Sequence, residues 1–127
     1  MVSICFEKII NIIGKKGPSP NPEGGNMKVI TVCGSYKFKK EMNEITEKMA
    51  LKGNCMLTPI ELTKPNKEAY TKEEALMIDK MHKEKIKLSD AILVVNVNGY
   101  IGNSTKSEIE FAKSLNKEVL YYTDLIK

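Results

Sequence analysis

The chain contains no arginine: all twenty of its basic residues are lysine. That removes the planar, bidentate fork best suited to gripping phosphate or carboxylate. It also counts against nucleic-acid recognition, because no dense basic block with interleaved aromatics occurs despite a net charge of +4. Histidine occurs once, and cysteine three times, at Cys5, Cys33 and Cys55. An odd number of cysteines at irregular spacing makes neither a disulfide framework nor a CxxC metal pair. With a single histidine, no zinc site and no other cofactor is expected. Reduced thiols in a cytoplasmic protein are the simple account, with Cys33 as a small buried hydrophobe in a strand. No apolar run approaches the roughly 20 residues of a membrane span, so no membrane partner is expected. Residues 1–14 are not read as a signal peptide, since Glu7 and Lys8 interrupt the apolar run and no small-residue cleavage site follows. GxGxxG is missing, and with it the dinucleotide fingerprint; GxxxxGK[ST] is missing too, which counts against ATP or GTP hydrolysis.

What is present fits one domain. The chain has 127 residues, 42% of them hydrophobic and 28% charged, enough for one sizeable core. Residues 14–26, with three prolines and four glycines among polar neighbours, are a linker by composition. Before them, Ile4, Ile9, Ile10, Ile12 and Ile13 suit a short amphipathic helix. Residues 1–26 are expected to be a flexible extension outside the native domain. Glu23, Gly24 and Gly25 can be encoded as a purine-rich ribosome-binding sequence, and Met27 follows at once, so the domain is taken as 27–127.

From Met27 the pattern alternates strand and helix. Residues 28–33 read as a buried strand ended by Gly34. Phe38, Met42, Ile45 and Met49 recur at helical spacing over 36–52, and Gly53 with Asn54 stops that helix. A short strand over 55–59 and a polar loop over 61–70 follow. Thr71 to Glu74 is a capping box opening a helix that runs to about residue 88. Residues 91–97 are the most strand-like in the chain, 104–116 suit a helix and 118–122 a last strand. Such alternation implies a parallel sheet with right-handed crossovers.

Open parallel sheets bind ligands at the carboxyl ends of their strands. Two turns carry suitable residues there: Gly34, Ser35 and Tyr36 after the first strand, and residues 96–108 after the third. In the second, Gly99 and Gly102 allow close backbone approach. The following helix start offers N–H groups and a positive dipole end to an anion, and Ser104, Thr105 and Ser107 add hydroxyls. An ordinary loop with a helix cap reads equally from these residues. Glu108 shares a helical face with Phe111, Ala112 and Leu115, so it points inward while Glu110 points to solvent. It could serve as nucleophile or electrostatic stabiliser. Alternatively, Thr105 to Glu108 is itself a capping box.

These residues resemble the nucleoside 2-deoxyribosyltransferase-like superfamily, which includes deoxynucleoside 5′-monophosphate N-glycosidases. The resemblance covers roughly 27–122. It rests on Val32-Cys33-Gly34-Ser35, on Ser89-Asp90-Ala91, and on Gly99-Tyr100-Ile101-Gly102 followed by Ser107-Glu108-Ile109-Glu110-Phe111-Ala112. It implies a Rossmann-like or flavodoxin-like three-layer α/β domain with a small parallel sheet of four to five strands. It implies cleavage or exchange of an N-glycosidic bond, with Glu108 attacking the anomeric carbon of deoxyribose. Gly34, Ser35 and Tyr36 would line the base or sugar pocket. Gly102, Ser104 and Ser107 would face the 5′ end, and Asn98 and Gly99 are counted with the substrate-binding residues. The family often has an acidic residue eight positions before the Asp that opens the third strand. Here His82 stands there, a general acid near neutral pH or a packed helix residue. Asp90 is expected at the amino end of its strand, orienting local backbone. Members commonly form dimers or larger oligomers, so a homo-oligomer binding a small nucleoside or nucleotide is expected. A non-catalytic nucleotide-binding module, or an N-glycosidase for another ribosyl compound such as a nicotinamide dinucleotide, are the alternatives.

Overall fold

The computed structural model describes residues 27–126; the expected extension, 1–26, lies outside the described residues. Four strands, Val29–Cys33 (β1), Cys55–Leu57 (β2), Ala91–Val94 (β3) and Glu118–Tyr121 (β4), alternate with helices Lys39–Leu51 (α1), Lys72–Leu88 (α2) and Asn103–Ser114 (α3). A final helical turn, Tyr122–Leu125 (α4), closes the described chain. All strand pairs are parallel, in the order β2-β1-β3-β4. β1 and β3 are apolar or β-branched almost throughout because both their faces are covered.

Side chains alternate across the sheet and divide the core in two. Ile30, Val32, Ala91, Leu93 and Val95 pack with Met42, Ile45 and Met49 of α1. Cys33, Ile92 and Val94 pack on the other face with Ile86 of α2 and with Ile109 and Ala112 of α3. The result is three layers, the expected flavodoxin-like α/β arrangement with a four-stranded parallel sheet.

Polar groups fix the register. The carboxylate of Asp90 accepts the Val29 N–H at 2.8 Å, and the Asp90 N–H is donated to Val29 O at 2.8 Å. Asp90 lies at the amino end of its strand as expected, but the backbone it holds is that of β1 rather than its own surroundings, so it pins β3 to β1. Thr31 is fully buried, its hydroxyl 3.1 Å from Lys85 O and against the Ser89 hydroxyl, which itself donates to Lys85 O at 2.7 Å. The end of α2 is thereby tied to the middle of β1. At its start, Thr71 and Glu74 form the expected reciprocal capping box, at 3.0 and 2.9 Å.

Boundaries differ from expectation where turns intervene. Ser35 caps a separate 3₁₀ turn, Tyr36–Phe38, before α1 begins. β3 stops at Val94, because the chain then folds through Val97–Gly99, where Asn98 (φ 55°) and Gly99 (φ 81°) are left-handed. Asn116, at φ 60°, ends the α3 region similarly. Among the described residues no helix is long and apolar enough to cross a membrane.

The layer assignment makes a stability prediction. Leu93→Ala, at a position with no exposure, should cost about 2–5 kcal/mol in denaturant unfolding. Leu76→Ala, on a side chain 65% exposed, should change it by less than about 0.5 kcal/mol. Equal effects would contradict the two-core packing.

Candidate functional site

The strand order reverses direction between β1 and β3, and an open sheet leaves a crevice at the carboxyl ends there. A cavity of about 590 Å³ occupies that place, within the range of small-molecule pockets. Gly34, Ser35 and Tyr36 enter it from β1; Tyr100, Gly102, Asn103, Ser104 and Thr105 enter it from the loop after β3 and the start of α3. One face of α2, carrying Ala75, Ile78, Asp79, His82 and Lys85, forms a wall, with Pro59, Ile60, Leu62 and Tyr70 from the β2–α2 connection beside it.

Gly34 is needed for close packing. A Cβ there would lie 3.2 Å from Val95 O, tight against the end of β3. Tyr36 hydroxyl donates to Ile60 O, fastening the β1 loop to the β2–α2 connection. Burial, with Tyr70 and Glu61 nearby, raises the pKa of that phenol, so it remains a donor. On the other side Lys37 Nζ lies 3.4 Å from the Tyr100 ring centroid, and Phe38 meets the same ring edge-on at 5.8 Å. Lys85 Nζ donates to Thr58 O at 2.7 Å.

Glu108 lies at the bottom. It is 8% exposed and faces the sheet from α3, alongside Thr105, Ile109 and Ala112. The capping box suggested by Thr105 to Glu108 does not form. α3 begins at Asn103 with Gly102 as its N-cap, and Lys106 N already donates to Gly102 O at 2.9 Å. Glu108 therefore stands more than a turn inside the helix. No side chain caps the start of α3, where Gly102, Asn103, Ser104 and Thr105 line the cavity. That end carries the partial positive charge of the helix dipole.

His82 and Cys33 adjoin Glu108. His82 Nε2 is 3.7 Å from Glu108 Oε1 and 3.5 Å from Cys33 Sγ. The Cys33 thiol also lies near the Glu108 carboxylate, Sγ, Nε2 and a carboxylate oxygen all falling within 4.8 Å of one another. Burial and the neighbouring carboxylate raise the thiol's pKa, so it stays protonated and is no thiolate nucleophile. Burial, with Lys85 nearby and opposed by Asp79, lowers the His82 pKa to about 4. At neutral pH the imidazole is thus uncharged, with one ring nitrogen able to accept and the other carrying N–H.

Of the sequence-derived site residues, Glu108, His82, Gly34, Ser35, Tyr36, Gly102 and Ser104 line the cavity. Asn98, Gly99 and Ser107 do not. Asn98 and Gly99 are exposed on the left-handed turn that brings Tyr100 to the cavity, and Ser107 lies on the outer side of α3. Sequence reasoning missed the wall from α2 and the β2–α2 connection. It also placed Cys33 only as a core residue; the signal available was its alternation with Val32, which sets Cys33 on the α2 face. Fold and cavity together define a flavodoxin-like α/β domain with a cavity at its switch point. No protein-family model matches the chain, and no curated protein sequence matches it.

Because His82 is the sole histidine, its ring resonances need no assignment by mutation. An NMR titration should give a midpoint near 4, and a midpoint at the ordinary 6.5 would contradict the buried, uncharged ring. The unfolded chain binds this proton first as pH falls, so its contribution to stability is complete above pH 6.5 and is lost towards pH 4. The gap corresponds to roughly 3 kcal/mol, measurable as a falling denaturation midpoint across that window.

Proposed function

We propose that the protein is a nucleoside 2-deoxyribosyltransferase-like enzyme that cleaves or exchanges the N-glycosidic bond of a deoxynucleoside or its 5′-monophosphate. The observation that carries this reading is the Glu108 carboxylate, buried at the base of a switch-point cavity of about 590 Å³. A carboxylate that faces a ligand-sized space fits the role of nucleophile.

The chemistry is a double displacement. A Glu108 oxygen attacks C1′ as the C1′–N bond breaks, and the electron pair leaves with the base nitrogen, which takes a proton from solvent. The deoxyribosyl ester is then attacked at C1′ by water or by a second base, and the ester C–O bond breaks to restore Glu108 with overall retention. For water, an uncharged His82 is suited to accept the proton. Tyr36 and Ser35, which line the cavity, would meet base or sugar in this reading. A 5′-phosphate would lie against the uncapped start of α3, where N–H groups replace the arginine the chain lacks. Cytoplasmic action on a soluble nucleotide, by a homodimer or larger homo-oligomer, belongs to the same reading.

The test is incubation with a panel of nucleosides, nucleotides and a nicotinamide dinucleotide, with free base followed by chromatography. Wild type should release base, and Glu108→Gln should lower the rate about a thousandfold or more while still binding substrate. Release from the dinucleotide alone would point instead to another ribosyl substrate. Tight binding without release, even with an acceptor base added, would point to a non-catalytic nucleotide-binding module.

A further inference from the structure

The buried imidazole of His82 is poorly served. Its Nδ1 has no hydrogen-bond partner among the described residues. Its Nε2 has only a sulfur at 3.5 Å and a carboxylate oxygen at 3.7 Å, the latter beyond a normal hydrogen bond. Yet the residue is only 8% exposed. Nε2, which meets the other two side chains only through these long contacts, is the atom that a partner seated between the three would take; Nδ1 would remain as it is.

We propose that Cys33, His82 and Glu108 form a three-donor site for a divalent cation of the zinc class, with the remaining coordination position open to the cavity. Cys33 Sγ, His82 Nε2 and a Glu108 oxygen all lie within 4.8 Å of one another. Around a tetrahedral zinc, with sulfur at about 2.3 Å and nitrogen or oxygen at about 2.0–2.1 Å, donors stand roughly 3.3–3.6 Å apart. The 3.5 Å sulfur–nitrogen distance already has that value, the 3.7 Å nitrogen–oxygen distance needs only tenths of an ångström, and the sulfur–oxygen distance, within 4.8 Å, must shorten by up to about 1.2 Å to reach it. The donors come from β1, α2 and α3, so the packing of three elements fixes them.

Charge favours the same ion. On binding, the Cys33 thiol gives its proton to solvent; thiolate, carboxylate and neutral imidazole then cancel the charge of a divalent cation. A neutral cluster is the form that burial tolerates. Thiolate with imidazole selects zinc or cobalt over magnesium and calcium, which need more oxygen ligands than the site offers. His82 and Glu108 line the cavity whereas Cys33 lies behind them, so the open position faces ligand space. Ligation would take Glu108 and His82 away from the glycosidic reaction, so the ion is expected to inhibit base release, and metal binding can be measured whether or not that activity is found.

The test uses the full chain with Cys5→Ser and Cys55→Ser, leaving Cys33 as its sole thiol. Cys55 is exposed, so serine there leaves the core intact. Cobalt(II) titration should saturate at about one ion per chain, with an intense sulfur-to-metal charge-transfer band that zinc abolishes. His82→Ala in that background should weaken binding at least about tenfold. Saturation without the sulfur band, no binding at all, or an unchanged Kd in the His82→Ala protein would each overturn the proposal. Far-UV circular dichroism on the same samples establishes that the fold is retained.

Discussion

β1 pairs in parallel with both β2 and β3, and most of the site's geometry follows from that constraint. Parallel neighbours need crossovers, and crossovers are right-handed. Leaving β1 in one direction and returning past it in the other puts α1 and α2 on opposite faces. The loops after β1 and β3 must then part at the carboxyl edge. A pocket arises there without any residue being dedicated to making it. Three further features decide what the pocket can do: an uncapped helix start, an inward glutamate and a buried histidine.

The fold was legible because its strands and helices differ sharply in pattern. Val29 to Cys33 and Ala91 to Val94 are apolar on both faces, and α1 repeats its apolar residues at helical spacing. Thr71 and Glu74 announced the start of α2 correctly. The same kind of signal misled at Thr105, because a capping-box pattern specifies a helix start only if nothing upstream nucleates first. Gly102 and Asn103 did so, and the shift converted a candidate cap into an interior, sheet-facing residue.

The candidate site was legible in part. Glu108 and the residues beside β1 could be found, since facing direction follows from local periodicity. The meeting of His82, Glu108 and Cys33 could not, because they lie on three separate elements and only the crossing of α2 and α3 over the end of β1 brings them together. Asn98 and Gly99 were attractive as ligand contacts on composition. Their left-handed dihedrals show a different duty: they reverse the chain so that Tyr100 reaches the cavity. Likewise the resemblance that singled out position 82 could not reveal its environment. Depth of burial sets the protonation state, and depth is a tertiary property.

Lys85 joins three parts of the molecule: its carbonyl takes the Ser89 hydroxyl with Thr31 close by, and its ammonium reaches Thr58 O. Those tethers hold the helix one turn beyond His82. At the opposite end of α2, Leu76 and Met77 are exposed and Ala75 and Ile78 border open cavity. Local stability follows the density of such tethers. The helix is therefore a beam whose cross-ties lie at one end. That end keeps the imidazole in place against β1, while the other, closed by its own capping box, forms the rim of the cavity.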